Sequence, residues 1–103
     1  MADKTWKAVE RQIARRLGGQ RVPITGRARG SAPDVDHPWL SIEVKHRKRL
    51  PQWLLDALDQ ARAAANDQQL PIAVLHENGR RFSDAIVVMR LADFEDWFGK
   101  LEH

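Results

Sequence analysis

The chain has 103 residues, 43% hydrophobic and 30% charged, enough for a single domain with one core over residues 1–100. It carries no cysteine, which excludes a disulfide scaffold, a zinc ribbon and a thiol enzyme. The formal charge is only +3, yet residues 1–49 hold twelve Lys/Arg against five Asp/Glu, and residues 50–103 hold five against nine. A first half at +7 and a second at −4 point to a basic surface for a polyanion, backed by an acidic half that keeps the chain in solution.

In chain order, Trp6, Val9, Ile13 and Leu17 recur at helical spacing and predict a helix over 3–17, stopped by Gly18-Gly19. Glu10 lies on or beside that apolar stripe, as a paired edge residue or as a carboxylate aimed into a site. Arg21–Thr25 reads as a short extended run, Gly26–Ser31 as a glycine-bounded basic loop, Pro33–Asp36 as extended, and His37-Pro38 as a tight turn. From Trp39 to Lys45 the sequence alternates. Leu40, Ile42 and Val44 share one strand face, and Trp39, Ser41, Glu43 and Lys45 share the other. After the basic exit loop His46-Arg47-Lys48-Arg49, Pro51 opens a helix to about Asn66. Leu54, Leu58, Ala61 and Ala65 form its main stripe, with a second ridge of Trp53, Ala57, Gln60 and Ala64. Leu70–His76 and Ala85–Arg90, apolar on both faces, read as buried strands joined by a turn at Glu77–Arg81. A last helix, about Ala92–Lys100, is expected to bury Phe94, Trp97 and Phe98. The order α-β-β-β-α-β-β-α makes an α/β (α+β) protein, a mixed sheet with helices against it. Leu101-Glu102-His103 reads as an expression-tag remnant.

Chemistry concentrates in the first half. Two strands joined by a hairpin bring Asp34 and Glu43 close together, and two carboxylates so placed suit a hard, oxygen-loving cation such as Mg²⁺. Lys45, on the same strand face as Glu43, is placed to orient a water or to stabilise charge on a phosphate oxygen. Metal-assisted phosphodiester hydrolysis needs a Lewis acid, a positioned water and a cation.

The motif Pro33-Asp34, an eight-residue gap, then Glu43-Val44-Lys45 resembles that of the PD-(D/E)xK nuclease superfamily. The resemblance covers residues 3–76, about three quarters of the chain, and implies a restriction-endonuclease-like α-β-β-β-α-β core, here with an extra strand and a C-terminal helix. The loop Gly30–Val35, after Arg27 and Arg29, looks most like that of archaeal-type Holliday-junction resolvases and their phage relatives, although Ala32 stands where they often have glycine. Those proteins carry a glutamate in the first helix, which Glu10 matches. Gln60 is similar to a polar residue that lines the site in many members. The resemblance implies Mg²⁺, with Mn²⁺ able to substitute, held by Asp34, Glu43 and the Val44 backbone carbonyl, with Glu10 in support through water. It further implies Lys45 as the residue that positions the attacking water, and no small-molecule cofactor.

The implied partner is DNA, a four-way junction cut by a two-fold homodimer, with duplex, nicked or flapped DNA and a non-catalytic DNA-binding module as the alternatives. Arg27, Arg29 and Ser31, and His46, Arg47, Lys48 and Arg49, are phosphate-contact candidates or solvated loops. His37 and His76 read as a turn and a strand-end histidine. The tryptophans read mostly as core, with Trp39 and Trp53 also placed to stack on DNA or pack a dimer. Met89, Phe94, Trp97 and Phe98 are interface candidates or core residues. No run is long enough to span a membrane, and the first residues hold no signal-peptide core, so the expected compartment is the cytoplasm.

Overall fold

The structure, a computed structural model, describes residues 5–21 and 35–99. It is a small mixed α/β protein with helices α1 (Thr5–Leu17), α2 (Gln52–Ala64) and α3 (Leu91–Phe98) and strands β1 (Gln20–Arg21), β2 (Val35–Asp36), β3 (Ala73–Leu75) and β4 (Ile86–Val88). A 3₁₀ turn, Phe82–Asp84, stands between β3 and β4. The described residues form two compact units, one ending at Arg47 and the other running Lys48–Gly99.

In the first unit α1 lies against β1 and β2. Its buried residues are Glu10, Ala14 and Leu17, spaced by four and three, so the buried line runs about one position round from the expected Trp6–Val9–Ile13 stripe. Val9 and Ile13 are half-buried and Trp6 is exposed. The helix ends in a Schellman motif. Gly18, at φ +75°, donates its N–H to the Arg15 carbonyl at 3.2 Å, and Gly19 donates to the Ala14 carbonyl at 2.8 Å. Gly19 is also held by space. A Cβ there would stand 2.5 Å from the Asp36 carbonyl oxygen and 2.7 Å from Val35 Cγ1. The glycine pair thus both stops the helix and lets the chain pass close to β2.

β1 and β2 pair antiparallel, Gln20 with Asp36 and Arg21 with Val35, and Val35 also bridges Ile42 antiparallel. The expected strand Trp39–Lys45 is therefore present as an extended segment joined at one bridge. Its burial still alternates: Leu40, Ile42 and Val44 are half-buried while Trp39, Ser41, Glu43 and Lys45 are exposed. Val35, between two partners, is wholly buried.

The second unit is built on α2, which lies against β3, with β3 and β4 paired antiparallel as Ala73–Val88, Val74–Val87 and Leu75–Ile86. Pro51 stands just before α2, and its carbonyl accepts from the N–H groups of Leu54 and Leu55 at 3.1 and 3.3 Å. The expected main stripe holds: Leu58 is buried and Leu54, Ala61 and Ala65 are half-buried. Arg62 Nη2 reaches Asp93 Oδ2 at 2.7 Å and Arg90 Nη2 reaches Asp59 Oδ1 at 2.8 Å, which ties α2 to the start of α3 and to the chain leaving β4.

Three expectations need correction here. All sheet pairing among the described residues is antiparallel, in two two-stranded sheets, so the parallel pairing that a mixed sheet requires does not occur there. The β3–β4 pair is not buried on both faces: Val74 and Val87, opposite each other, are 59% and 55% exposed, because α2 covers only the other side of a two-stranded ribbon. The tryptophans are not core residues. Trp6, Trp39, Trp53 and Trp97 are all at least 39% exposed, and Phe98 is 50% exposed beside a half-buried Phe94, since the eight-residue α3 buries only part of its girth.

Candidate functional site

The part of the first unit that carries the expected chemistry is shaped by His37. Its Nδ1 accepts the backbone N–H of Trp39 at 3.3 Å and of Leu40 at 3.2 Å, so the proton sits on Nε2, which donates to the Leu17 carbonyl at 3.0 Å. The imidazole thereby closes the tight turn that the sequence places at His37-Pro38, and satisfies a carbonyl in the last turn of α1. One side chain sets both the end of the first helix and the start of the alternating segment.

From that turn the chain runs outward to Glu43 and Lys45. The Lys45 ammonium lies 3.0 Å from Glu43 Oε1, with both side chains about 60% exposed (63% and 59%). Two residues apart on an extended chain, they project from one face, as the alternation requires. An exposed pair of this kind contributes roughly 0.2–1 kcal/mol to stability. Val44 between them is half-buried.

Glu10 is buried, at 6% exposure, at the N-terminal end of the buried line of α1. No buried side-chain polar atom of the described residues lacks a hydrogen-bond partner, and the Glu10 carboxylate is engaged. Glu10 is thus a buried, partnered carboxylate of α1. Asp34, Arg27, Arg29 and Ser31 lie outside the described residues. Gln60, expected to face inward, is exposed on α2, because the second ridge of that helix is covered only at Ala57. His46, Arg47, Lys48 and Arg49 are all exposed, and Arg47 Nη1 donates to the His46 carbonyl at 3.0 Å. The structure thus brings Glu43 and Lys45 into contact and leaves the basic stretch after them open to solvent.

Among the described residues, no group of three His, Asp or Glu gathers as a metal ligand set. The donors named for Mg²⁺ nonetheless share one chemistry: carboxylate and carbonyl oxygens, which suit a hard cation. Glu43, the donor with a described and exposed carboxylate, already holds a cationic group at 3.0 Å.

Sequence reading passed over Phe82. It is 86% exposed in the β3–β4 connection, and the available signal was a single aromatic residue set in the charged stretch Arg80-Arg81-Phe82-Ser83-Asp84. No described helix is long and apolar enough to cross a membrane.

Comparison with known proteins adds no relative: no family model matches the chain, and neither a curated protein nor a solved structure matches it.

Proposed function

We propose that the chain is a metal-dependent DNA endonuclease of the PD-(D/E)xK kind, with a restriction-endonuclease-like core, acting in the cytoplasm as a two-fold homodimer on four-way junctions. The observation that carries the reading is the antiparallel bridge between Val35 and Ile42. A hairpin that kept this register for one more residue would pair position 34 with position 43, as a cation shared by Asp34 and Glu43 needs. The exposed Glu43–Lys45 pair and the buried Glu10 in the same unit support it.

In this reading Asp34, Glu43 and the Val44 carbonyl hold Mg²⁺ or Mn²⁺, with Glu10 in support through water. A cation held there would supply Lewis acidity to the scissile phosphate and a more acidic water. Lys45 would orient the attacking water and stabilise charge on the phosphate oxygens. Arg27, Arg29, Ser31, His46, Arg47, Lys48 and Arg49 hold the backbone phosphates. Gln60 is exposed on α2, in the second unit. A four-way junction has two strands to cut symmetrically, which one site meets by pairing two copies.

The test is cleavage of labelled four-way junctions, flapped and nicked DNA, plain duplex and single strands, in Mg²⁺ and in EDTA. Mg²⁺-dependent cutting of junctions, lost in Asp34→Ala, is the expected result. Equal cutting of junction and duplex assigns a general nuclease in place of a resolvase. Binding without cutting of any substrate assigns a non-catalytic DNA-binding module.

A further inference from the structure

Phe82, 86% exposed, is the most exposed large apolar side chain among the described residues. Its backbone is nevertheless ordered. Asp84 donates its N–H to the Arg81 carbonyl at 3.0 Å, and Ala85 donates to the Phe82 carbonyl at 3.1 Å. The phenyl ring rests on the His76 imidazole, with centroids 5.0 Å apart and planes inclined by 32°. His76 is itself anchored, its Nε2 donating to the Arg80 carbonyl at 2.9 Å. One face of the phenyl ring is therefore backed by a fixed partner and the other is open to water, where apolar surface is unfavourable.

Charge surrounds the ring. Arg80 lies 3.7 Å from Glu77, and Arg81 lies 3.4 Å from Asp84, all four side chains being well exposed. Such pairs hold weakly and exchange readily for other partners. Beside them opens a cleft of about 360 Å³ bounded by Leu75, His76, Glu77, Arg80, Asp84 and Ile86. That volume falls in the lower part of the ~300–1,000 Å³ range of small-ligand sites.

We propose that the β3–β4 connection is a binding site for one unpaired nucleotide of DNA. The base stacks on the open face of Phe82, and Glu77 or Asp84 of the same connection accepts from an exocyclic amino group. Arg80 and Arg81 leave their carboxylates for the flanking phosphates. A duplex hides the faces of its bases, so the site selects DNA with an unstacked base, as at a flap or a branch point. Two arginines balance two carboxylates here. Recognition is therefore by stacking and edge hydrogen bonds rather than by a field of positive charge. The choice of DNA as the partner rests on the nuclease reading.

The test measures binding of the full chain to fluorescent DNA by anisotropy in EDTA, with a duplex bearing a short unpaired flap against the same duplex blunt-ended. Phe82→Ala is expected to weaken flap binding about tenfold and blunt-duplex binding at most about twofold, while Phe82→Trp keeps flap affinity. Phe82 is so exposed that neither change threatens the fold. Unchanged flap affinity in Phe82→Ala, equal loss on both DNAs, a Phe82→Trp variant as weak as Phe82→Ala, or no binding of flap DNA by the parent overturns the site. Cutting by the parent in Mg²⁺ is read separately. Phe82-dependent flap binding without cutting keeps this site and removes the nuclease reading. Cutting with flap binding insensitive to Phe82 does the reverse.

Discussion

Val35 and Ile42 face each other across an antiparallel bridge, and Val35, wholly buried, pairs on its other side with Arg21. A small branched side chain thus stands where β1, β2 and the alternating segment meet under α1. The register on which the proposed site depends passes through this one residue.

Val35→Ala is accordingly expected to cost about 2 kcal/mol, from the lost methyl groups and the cavity they leave. Chemical denaturation reads this as a lower midpoint with an unchanged slope. A cost near zero would show that the packing at the bridge is loose.

Gly19→Ala is expected to destabilise by about 1–3 kcal/mol, because its new Cβ meets the Asp36 carbonyl at 2.5 Å and only a shift of β2 relieves the clash. Gly79→Ala provides the contrast. Nothing lies within 4 Å of a Cβ there, and only its φ of +85° opposes the change, at about 1 kcal/mol. Thermal unfolding of the two variants should rank them in that order.

Glu43→Gln and Lys45→Met separate folding from chemistry. Each removes one partner of an exposed ion pair 3.0 Å long, so stability should move by no more than about 1 kcal/mol. Under the nuclease reading each lowers Mg²⁺-dependent cleavage by roughly 10²–10³-fold. Measuring melting and cleavage on the same preparations checks both halves.

His37→Ala removes three hydrogen bonds that join the end of α1 to the turn before the alternating segment, and should cost about 1–2 kcal/mol. His37→Asn should recover part of it. The asparagine oxygen can accept the turn N–H groups, as in an Asx turn, but its side chain is too short to cap Leu17. Equilibrium unfolding of the pair distinguishes the turn from the cap.

The three helices were legible in the sequence because each carries an apolar stripe at helical spacing, and Gly18-Gly19 after α1 and Pro51 before α2 mark boundaries; the last helix was expected to reach about Lys100, but Gly99, at φ +72°, ends it at Phe98. Alternation from Trp39 to Lys45 was equally legible and survives as alternating burial, although only Ile42 makes a bridge. What periodicity could not give is how much of each element a neighbour covers. Val74, Val87, Trp97 and Phe98 read as core by hydrophobicity, yet a two-stranded ribbon and a short helix each leave a face uncovered.

The candidate site divides in the same way. The shared face of Glu43 and Lys45 follows from the strand period, which acts locally, whereas the burial of Glu10 depended on a helix face one position round from the expected stripe. Gln60 failed because its ridge on α2 depends on what packs there. His37 read as a turn residue, and nothing in the sequence pointed to its second bond, to a carbonyl twenty residues back.

The central claim is that Asp34 and Glu43 share one cation through the register of the Val35–Ile42 bridge. Mn²⁺ titration followed by electron paramagnetic resonance tests it directly, on the parent, Asp34→Asn and Glu43→Gln. The parent is expected to bind Mn²⁺, and each variant alone to lose at least about tenfold in affinity. Parent-like affinity in either variant would contradict it.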